Sequence, residues 1–425
     1  MTIAETINSL FTGGLPFRLS AYDGSTAGGS AVGPDGAELG LELANERGLS
    51  YILSAPGDLG LARAYVSGDL IMHGVHPGDP YPLLKLIVGN TDFARPSPVD
   101  MVRLVRNLGL RNFIPPQPPP EEHLPFWRSK LEGLRRHSPE RDADAIAHHY
   151  DVSNTFYEYV LGPSMTYTCA VFPTEDATLE EAQFAKYDLI CKKVGLEPGM
   201  RLLDVGCGWG GMVRHAAQHY GVEVLGVTLS AEQAGWGQQR VKEMGLDHIA
   251  EVRHCDYRDV AESDFDAVSS IGLTEHIGVK NYRAYFGSLA AKVKPGGRIL
   301  NHCITRNSNL GKATAGSFID RYVFPDGELA GSGTLITAAE NVGLEVQHHE
   351  NFRVHYAKTL AGWCRNLAQH WDACVADAGL GTAKVWGLYM AGSRIGFETN
   401  EIQLHHVLAT KTVDGNSHYP LRHRF

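Results

Sequence analysis

Cysteine is scarce in this chain of 425 residues, and its distribution excludes the usual metal and disulfide frameworks. The seven cysteines are scattered, and none forms a CxxC pair with another. A zinc site or a disulfide scaffold requires closely spaced or paired cysteines, so the sequence indicates no metal site. Free thiols persist in a reducing compartment, and we therefore expect a cytoplasmic protein.

Long apolar runs are also missing. No stretch approaches the roughly 18 apolar residues that cross a bilayer. The opening Met-Thr-Ile-Ala-Glu-Thr lacks the basic and apolar regions of a secretion signal. Because 43% of the residues are hydrophobic and the mean hydropathy is −0.18, wholesale disorder is excluded as well. We expect a folded protein that can meet a membrane only from its surface.

Positive charge is in deficit, since 38 Lys and Arg residues face 48 Asp and Glu residues and the formal net charge is −10. A dedicated nucleic-acid binder carries the opposite balance, so we expect no nucleic-acid partner. Residues 101–141 are different, because eight basic residues and four glutamates give them a charge of +4 and leave −14 for the rest. This segment, with an amphipathic helix predicted at Phe126–Arg136, predicts peripheral contact with a phospholipid surface.

Proline marks the clearest boundary. Five prolines between positions 115 and 120 favour an extended spacer and exclude a helix or a central strand. We therefore predict a small N-terminal α+β domain at residues 1–113, a linker at 114–123 and a larger domain at 124–425. In the first domain, the apolar spacing of Leu59–Met72 predicts a helix.

The larger domain alternates strand-like and helix-like segments. The predicted strands are Arg201–Val205, Val222–Val227, Phe265–Ser270 and Gly297–Asn301. A βαβ rhythm of this kind predicts a doubly wound, mainly parallel sheet in an α/β fold.

A glycine-rich turn follows the first of these strands, in Leu202-Leu-Asp-Val-Gly-Cys-Gly-Trp-Gly-Gly211. Glycines there let the backbone turn sharply and approach a ligand closely. A dinucleotide site uses a similar turn, but the next strand carries no acidic residue at its tip to hold a ribose. Asp204 precedes the first glycine, where a carboxylate can organise the loop. The segment resembles motif I of class I S-adenosylmethionine-dependent methyltransferases, and Asp256 would then lie near the adenine amino group.

Further segments resemble one branch of that superfamily, the cyclopropane-fatty-acyl-phospholipid and mycolic acid cyclopropane synthases. They are His149-Tyr-Asp-Val-Ser-Asn154, Met165-Thr-Tyr-Thr-Cys-Ala170, Thr228-Leu-Ser-Ala-Glu-Gln233, Ser270-Ile-Gly-Leu-Thr-Glu-His-Ile-Gly278 and Arg321-Tyr-Val-Phe-Pro-Asp-Gly327. The resemblance covers about residues 123–410. It implies a class I methyltransferase fold with S-adenosylmethionine and bicarbonate as cofactors.

The resemblance also assigns roles to individual positions. The residues implied to contact S-adenosylmethionine are Tyr167, Thr168, Gly206, Gly208, Thr228, Leu229, Gln233, Tyr257 and Arg258, to which the loop argument adds Asp204 and Asp256. The residues implied to hold bicarbonate are Cys169, Glu275, His302, Ile304 and Tyr356. Outside the motifs, His405 and His406 are interpreted as structural or solvent-facing, because no HExxH pattern accompanies them.

The implied chemistry explains why such residues would be assembled. An unactivated cis alkene attacks the sulfonium methyl group and becomes a carbocation, which requires a pocket without water. A base then removes a proton that is acidic only in the cation, and bound bicarbonate can serve as that base.

The resemblance leaves two products open, a cyclopropane ring and an exocyclic methylene group. Asn301-His-Cys-Ile-Thr-Arg306, Phe318–Leu329 and Ala383–Tyr389 are more similar to the actinobacterial branch that makes 10-methylene and 10-methyl lipids. We therefore favour methylenation of oleoyl phospholipids over cyclopropane formation. A flavin- or nicotinamide-dependent reductase is an expected partner, and we expect a homo-oligomer.

Two other classes of function remain as alternatives. Motif I also serves methyltransferases that act on small heteroatom nucleophiles, although the five bicarbonate positions argue against that class. A non-catalytic lipid-binding protein, with the N-terminal domain as its working part, is the second alternative.

Overall fold

The structure is a computed structural model that describes residues 1–90, 107–122, 152–310, 316–324 and 327–425. The amphipathic helix predicted at Phe126–Arg136, and most of the basic segment, lie outside these residues. The chain divides into two compact units. Unit 1 comprises residues 1–129, 316–323 and 363–395, and unit 2 comprises residues 130–315, 324–362 and 396–425. Unit 1 thus takes two segments from the region that the sequence assigned to the larger domain.

Unit 1 contains a mixed five-stranded sheet in the order β2-β1-β4-β3, with β5 also paired to β4. Its strands are β1 (Arg18–Ala21), β2 (Thr26–Gly28), β3 (Ala31–Val32), β4 (Glu38–Leu43) and β5 (Leu70–His73). The neighbouring helices are α1 (Ile3–Asn8), α2 (Glu46–Ser54), α3 (Asp58–Val66) and α4 (Tyr81–Asn90). The prediction of a smaller N-terminal α+β domain is confirmed at the level of fold class.

The helix predicted over Leu59–Met72 is only partly right. Helix α3 ends at Val66, and Leu70–His73 forms strand β5, which pairs antiparallel with β4. The break comes at Gly68, whose φ of +79° places it in the left-handed region that ends helices. In the sequence, the apolar residues of α3 and β5 continue one helical spacing. Gly68 is the residue that marks the end of the helix.

Unit 2 contains a seven-stranded sheet in the order β11-β12-β10-β9-β6-β7-β8. Its strands are β6 (Arg201–Val205), β7 (Glu223–Thr228), β8 (Ala250–His254), β9 (Phe265–Ile271), β10 (Val293–Arg306), β11 (Leu344–Asn351) and β12 (Ile402–Lys411). Five adjacent strands of this sheet, β10, β9, β6, β7 and β8, are mutually parallel. Strand β12 runs antiparallel to its two neighbours, β10 and β11. The predicted doubly wound, mainly parallel sheet is therefore confirmed.

Helices connect these strands. In unit 2 they are α5 (Asn154–Leu161), α6 (Leu179–Val194), α7 (Gly211–Tyr220), α8 (Ala231–Glu243), α9 (Tyr282–Lys292) and α11 (Ser332–Glu340). Four more lie wholly or partly in unit 1, namely α10 (Ser317–Tyr322), α12 (Arg353–Gln369), α13 (Trp371–Ala378) and α14 (Leu380–Glu398). Local sequence sets the ends of α6, because Thr178 and Glu181 form a capping box and Gly195 closes the helix in the left-handed conformation.

The sheet of unit 2 is buried on both faces. One apolar cluster packs Leu202, Val213 and Val224 together, and a second contains Leu203, Val268 and Phe286. Neighbouring residues of the same strand thus enter opposite clusters, as expected for a parallel sheet covered on both sides. Buried polar side chains also occur inside the strands, among them Ser269 in β9, His302 in β10 and His406 in β12.

In the part of the chain that the structure describes, no helix is both long and apolar enough to cross a bilayer.

The packing of helix α7 on strand β7 gives a test of this core. A methyl group added at Gly226 would lie 2.4 Å from Cγ2 of Val213 and 3.0 Å from Cβ of Cys207. We expect Gly226→Ala to destabilise the protein by about 1–3 kcal/mol, because the core must shift to admit the methyl group. The matched control is Gly235→Ala in α8, where nothing lies within 4 Å and a gain of up to about 1 kcal/mol is expected. Equal urea midpoints for the two variants would contradict this packing.

Candidate active site

The glycine loop joins strand β6 to helix α7 at the point where the strand order reverses. The backbone N–H groups of Gly206 and Cys207 both donate to the carbonyl oxygen of Val227, which holds the loop against the end of β7. Gly206 and Gly208 have φ values of +74° and +54°. A methyl group at Gly206 would lie 3.0 Å from Cβ of Leu273, whereas the space beside Gly208 is open within 4 Å. This geometry fits a ligand that approaches the backbone in the crevice beyond the strand ends.

Asp204 lies inside strand β6, directly before the loop. Its carboxylate is buried and accepts a 2.6 Å hydrogen bond from the Ser269 hydroxyl on the neighbouring strand. Burial raises the pKa of Asp204 to about 6, against the hydrogen bond from Ser269 and the charge of Lys186. The position agrees with a role in organising the loop.

The predicted residues after β7 form one connected group. The hydroxyl of Thr228 donates to Oε1 of Gln233 at 3.0 Å, and the carbonyl oxygen of Leu229 lies 3.0 Å from Nε2 of His254. The side-chain nitrogen of Gln233, Nε2, is buried and has no hydrogen-bond partner among the described residues. It is therefore a donor that a bound molecule can satisfy.

After strand β8, the side chains of Asp256 and Arg258 pair with each other. The guanidinium donates from Nε at 2.8 Å and from Nη2 at 2.5 Å to the two carboxylate oxygens, and it lies 5.4 Å from the centre of the Tyr257 ring. The carboxylate predicted to meet the adenine amino group is thus already engaged in an ion pair. Tyr257 also packs edge-on against Tyr285.

Tyr167 and Thr168 lie on the segment between α5 and α6. The ring of Tyr167 is 6.0 Å from that of Tyr157, which packs in turn 4.7 Å from Trp209 of the glycine loop. The hydroxyl of Thr168 accepts a 2.8 Å hydrogen bond from Lys186. The structure thereby brings this segment to the glycine loop, as the resemblance implied.

Glu275 and Ile304 are in direct contact. Glu275 lies in a short 3-10 helix after strand β9, and its Oε1 accepts a 2.7 Å hydrogen bond from the backbone N–H of Ile304 in β10. The other oxygen, Oε2, is buried without a hydrogen-bond partner among the described residues. Burial raises the pKa of Glu275 to about 7, and the hydrogen bond from Ile304 only partly opposes this shift.

Cys169 and Tyr356 meet at Phe352, which directly precedes helix α12. The Cys169 thiol lies 3.8 Å from the carbonyl oxygen of Phe352, and the same oxygen accepts the backbone N–H of Tyr356. Burial raises the pKa of the Cys169 thiol and so favours its protonated form. The ring of Phe352 packs 4.4 Å from that of His406.

His302 completes the group predicted to hold bicarbonate. It is buried in strand β10, and its Nδ1 lies 2.9 Å from Nε2 of His406 on strand β12. Its Nε2 has no hydrogen-bond partner among the described residues. The carbonyl oxygen of His302 accepts the N–H of Gly272, and a methyl group at Gly272 would lie 2.9 Å from Cγ2 of Thr168. The strand ends that carry His302 and Glu275 therefore adjoin the segment that carries Thr168 and Cys169.

Sequence reasoning missed several residues of this region. Lys186 and Lys193 on α6 are fully buried, and His406, interpreted from the sequence as structural or solvent-facing, is buried against His302. Burial lowers the pKa of Lys186 to about 7, although the nearby Cys169 and Asp204 oppose the shift. The available signal was the spacing of the two lysines, which at seven residues lie on one face of a helix together with Ile190.

The sheet order, with β12 antiparallel to its neighbours and a glycine loop after β6, the first strand of this sheet in the chain, is that of class I S-adenosylmethionine-dependent methyltransferases. Among solved structures, the mycolic acid cyclopropane synthase CmaA1 complexed with SAH and CTAB is similar with a TM-score of 0.60 and 32% identity. That similarity covers 63% of this chain and 97% of the other.

Residues 137–407 match the family model described as mycolic acid cyclopropane synthetase. A probable fatty acid methyltransferase of Mycobacterium tuberculosis is 63% identical over 413 residues, 97% of this chain and 95% of that protein. The cyclopropane-fatty-acyl-phospholipid synthase of Escherichia coli is 35% identical over 63% of this chain and 67% of its own length. The chain therefore belongs to the mycolic acid cyclopropane synthetase family, and it is an S-adenosylmethionine-dependent methyltransferase.

The buried carboxyl of Glu275 makes the stability of the protein depend on pH. Because its folded pKa lies above the unfolded value near 4.5, the folded state loses stability as pH rises from about 4.5 to about 7. We expect Glu275→Gln to have nearly wild-type unfolding free energy at pH 4.5, and to gain up to about 3 kcal/mol over the wild type at pH 8.

The measurement is urea unfolding of both proteins at the two pH values. Glu340→Gln, at an exposed position on α11, is the control and should show no pH-dependent difference. A gain of the same size at both pH values would show that Glu275 does not titrate as described.

Proposed function

We propose that this chain transfers a methyl group from S-adenosylmethionine to the cis double bond of unsaturated acyl chains in phospholipids, converting oleoyl into 10-methylene-stearoyl groups with bicarbonate as the base. The observation that carries the proposal is the pair of buried, unpartnered polar atoms, Oε2 of Glu275 and Nε2 of His302, noted among the described residues. A buried polar atom costs free energy unless a protein group, a water molecule or a ligand forms a hydrogen bond with it. Both lie on elements next to the glycine loop or the Thr168 segment.

The residues present fit S-adenosylmethionine. A backbone turn open to a ligand at Gly208, the buried amide donor of Gln233 and the aromatic group around Tyr167 surround the carboxyl ends of β6 and β7. When bound, the cofactor supplies an electrophilic sulfonium methyl group. Thr168, Thr228, Leu229, Asp256, Tyr257 and Arg258 are the other residues that we propose to hold it, and Asp204 would act through the loop.

The residues present also fit a small anion with one hydroxyl group. His302 and the backbone around Cys169 would hold bicarbonate, and Ile304 would act through its hydrogen bond to Glu275. Glu275 and Tyr356 would orient the ion, which supplies a base for the cationic substrate. Above pH 7 the Glu275 carboxylate is ionised, and its free oxygen accepts a hydrogen bond from a hydroxyl. Aromatic rings nearby, such as Tyr356 packed 4.5 Å from Phe397, help exclude water and stabilise positive charge.

The similarity to named relatives supports methylenation as the first candidate. The relative that is 63% identical is named a probable fatty acid methyltransferase, whereas the named cyclopropane synthase of Escherichia coli is 35% identical over 63% of this chain. This difference favours methylenation, and cyclopropane formation at the same site is the second candidate. A reductase that consumes the methylene product, a homo-oligomeric state, a cytoplasmic location and contact with the inner membrane surface belong to the same proposal.

Lipids from cells that contain oleate and express this chain test the reaction directly. We expect a mass gain of one CH2 in phospholipid acyl chains, and vinylidene proton signals in the NMR spectrum of the purified acyl group. Cyclopropyl signals at high field would replace the first candidate with the second. Cells expressing Glu275→Gln serve as the control, and unchanged lipids with the wild-type chain would refute the proposal.

The hydrogen bond from Ile304 makes Glu275→Gln a selective test of the base site. Because that N–H requires an acceptor, the glutamine places its oxygen at the Oε1 position and presents NH2 where the wild type presents an acceptor. We expect turnover at pH 8 to fall by about 10²-fold or more, while calorimetry shows S-adenosylmethionine affinity within twofold of wild type. Glu340→Gln should change neither quantity, and normal turnover of Glu275→Gln would show that the base site is misassigned.

A further inference from the structure

A line of hydrogen-bonded side chains runs through unit 2 from its surface to His302. Glu350 on strand β11 is 40% exposed, and its Oε2 lies 2.5 Å from Nζ of the fully buried Lys193. The same ammonium lies 3.2 Å from Nδ1 of His406, whose Nε2 is 2.9 Å from Nδ1 of His302. Nε2 of His302, at the inner end, is the buried atom without a partner among the described residues.

The ion pair of Glu350 and Lys193, at the outer end of this line, determines which atom donates in each of the other hydrogen bonds. Burial lowers the pKa of Lys193, and the hydrogen bond and charge of Glu350 oppose this shift. We take the lysine in this ion pair as the ammonium, which has donors only. Nδ1 of His406 must therefore accept, so a neutral His406 carries its proton on Nε2. That proton is donated to Nδ1 of His302, and a neutral His302 then carries its own proton on Nε2.

Both histidines are neutral for physical reasons. Burial holds the pKa of His302 well below 6.5, and the nearby charges of Lys186 and Lys193 lower it further. Burial likewise holds the pKa of His406 far below 6.5, with Lys193, His302, Lys186 and His348 adding to the effect. A second proton on either ring would also place two N–H groups face to face.

We propose that Lys193 and His406 are positioning residues that fix the tautomer of His302, so that its Nε2 presents a proton to the active site. Within the proposed function, on which this inference rests, that proton is a hydrogen-bond donor for an oxygen of the bicarbonate base. His302 therefore holds the base and does not itself accept the substrate proton. Lys193 and His406 are not among the candidate site residues that the sequence motifs single out.

The aromatic surroundings explain why the ammonium stays in place. Nζ of Lys193 lies 5.0 Å from the centre of the Phe352 ring and 5.4 Å from that of Phe425. These ring faces attract a cation without offering a conventional acceptor that would compete for its donors. Among the described residues the ammonium thus has two conventional hydrogen-bond partners, Glu350 and His406, which fix its orientation.

Nitrogen NMR of histidine-labelled full-length protein tests the proposal without turnover. The His302 signals are assigned by their loss in His302→Asn, and couplings between ring nitrogens and carbon-bound protons distinguish protonated from unprotonated nitrogen. We expect Nε2 protonated and Nδ1 unprotonated in the wild type. Lys193→Met should shift His302 toward the opposite tautomer or a mixture, and Lys193→Arg, whose side chain is also donor-only, should restore the wild-type signals.

Two further variants keep the test independent of Lys193. His406→Gln can accept from Lys193 with its oxygen and donate to His302 with its NH2, so it should preserve the tautomer, whereas His406→Leu should not. Lys192→Met, a neighbouring partly exposed position paired with Asp188, is the matched control and should leave the signals unchanged. An unprotonated Nε2 in the wild type, or a tautomer indifferent to all of the Lys193 and His406 variants, would overturn the proposal.

Kinetics supply the second readout. If Nε2–H holds bicarbonate, Lys193→Met should raise the bicarbonate concentration for half-maximal activity about tenfold, which corresponds to about 1.4 kcal/mol. S-adenosylmethionine affinity should be unchanged. Turnover without bicarbonate would refute the proposed base. It would not decide the tautomer of His302, which the NMR experiment tests separately.

Discussion

Exclusion of water from the carboxyl ends of β6, β9 and β10 is the constraint on which the site depends. Each ionisable group buried there loses favourable hydration and must find a protein partner. The structure supplies one to Asp204 from Ser269, to Glu275 from Ile304 and to Lys186 from Thr168. Within the described residues, Oε2 of Glu275, Nε2 of His302 and Nε2 of Gln233 are among the buried polar atoms without a partner, so a ligand can satisfy them. The same dryness that makes unpaired groups costly is what a carbocation requires.

Helix α6 gives this dry region its positive charge. Its buried face carries Gln183, Lys186 and Lys193, which hold Thr168, Glu350 and His406 by hydrogen bonds. A surface helix normally reserves such a face for apolar residues. The capping box and the terminal glycine fix the two ends of α6, and this helps keep the side chains of Lys186 and Lys193 at the same level as the residues that they contact.

The sequence sufficed for the elements whose signals are local. The alternation of apolar strands and helices gave the doubly wound sheet, and the glycines after Val205 located the loop. Helix α3 was predicted too long because its pattern merges with that of β5, and only Gly68 marks the break. Motifs assign the candidate residues, and the structure places most of them at the carboxyl ends of three neighbouring strands, β6, β7 and β8.

What escaped the sequence is non-local. His302 and His406 are 104 residues apart and meet only through the register of β10 with β12. Lys193 and Glu350 are 157 residues apart. Propensity and spacing describe one segment at a time, so a buried lysine whose partners come from two distant strands has no local signature beyond its position on an apolar face.

The antiparallel strand β12 gives this register a further consequence. Side chains alternate between the two faces of a strand, so a slip of one residue would replace His406 by His405 or Val407 opposite His302. The pairing of β12 with β10 is therefore a place where an alignment error of a single residue would separate His302 from His406 while the parallel strands and the glycine loop keep their own hydrogen bonds.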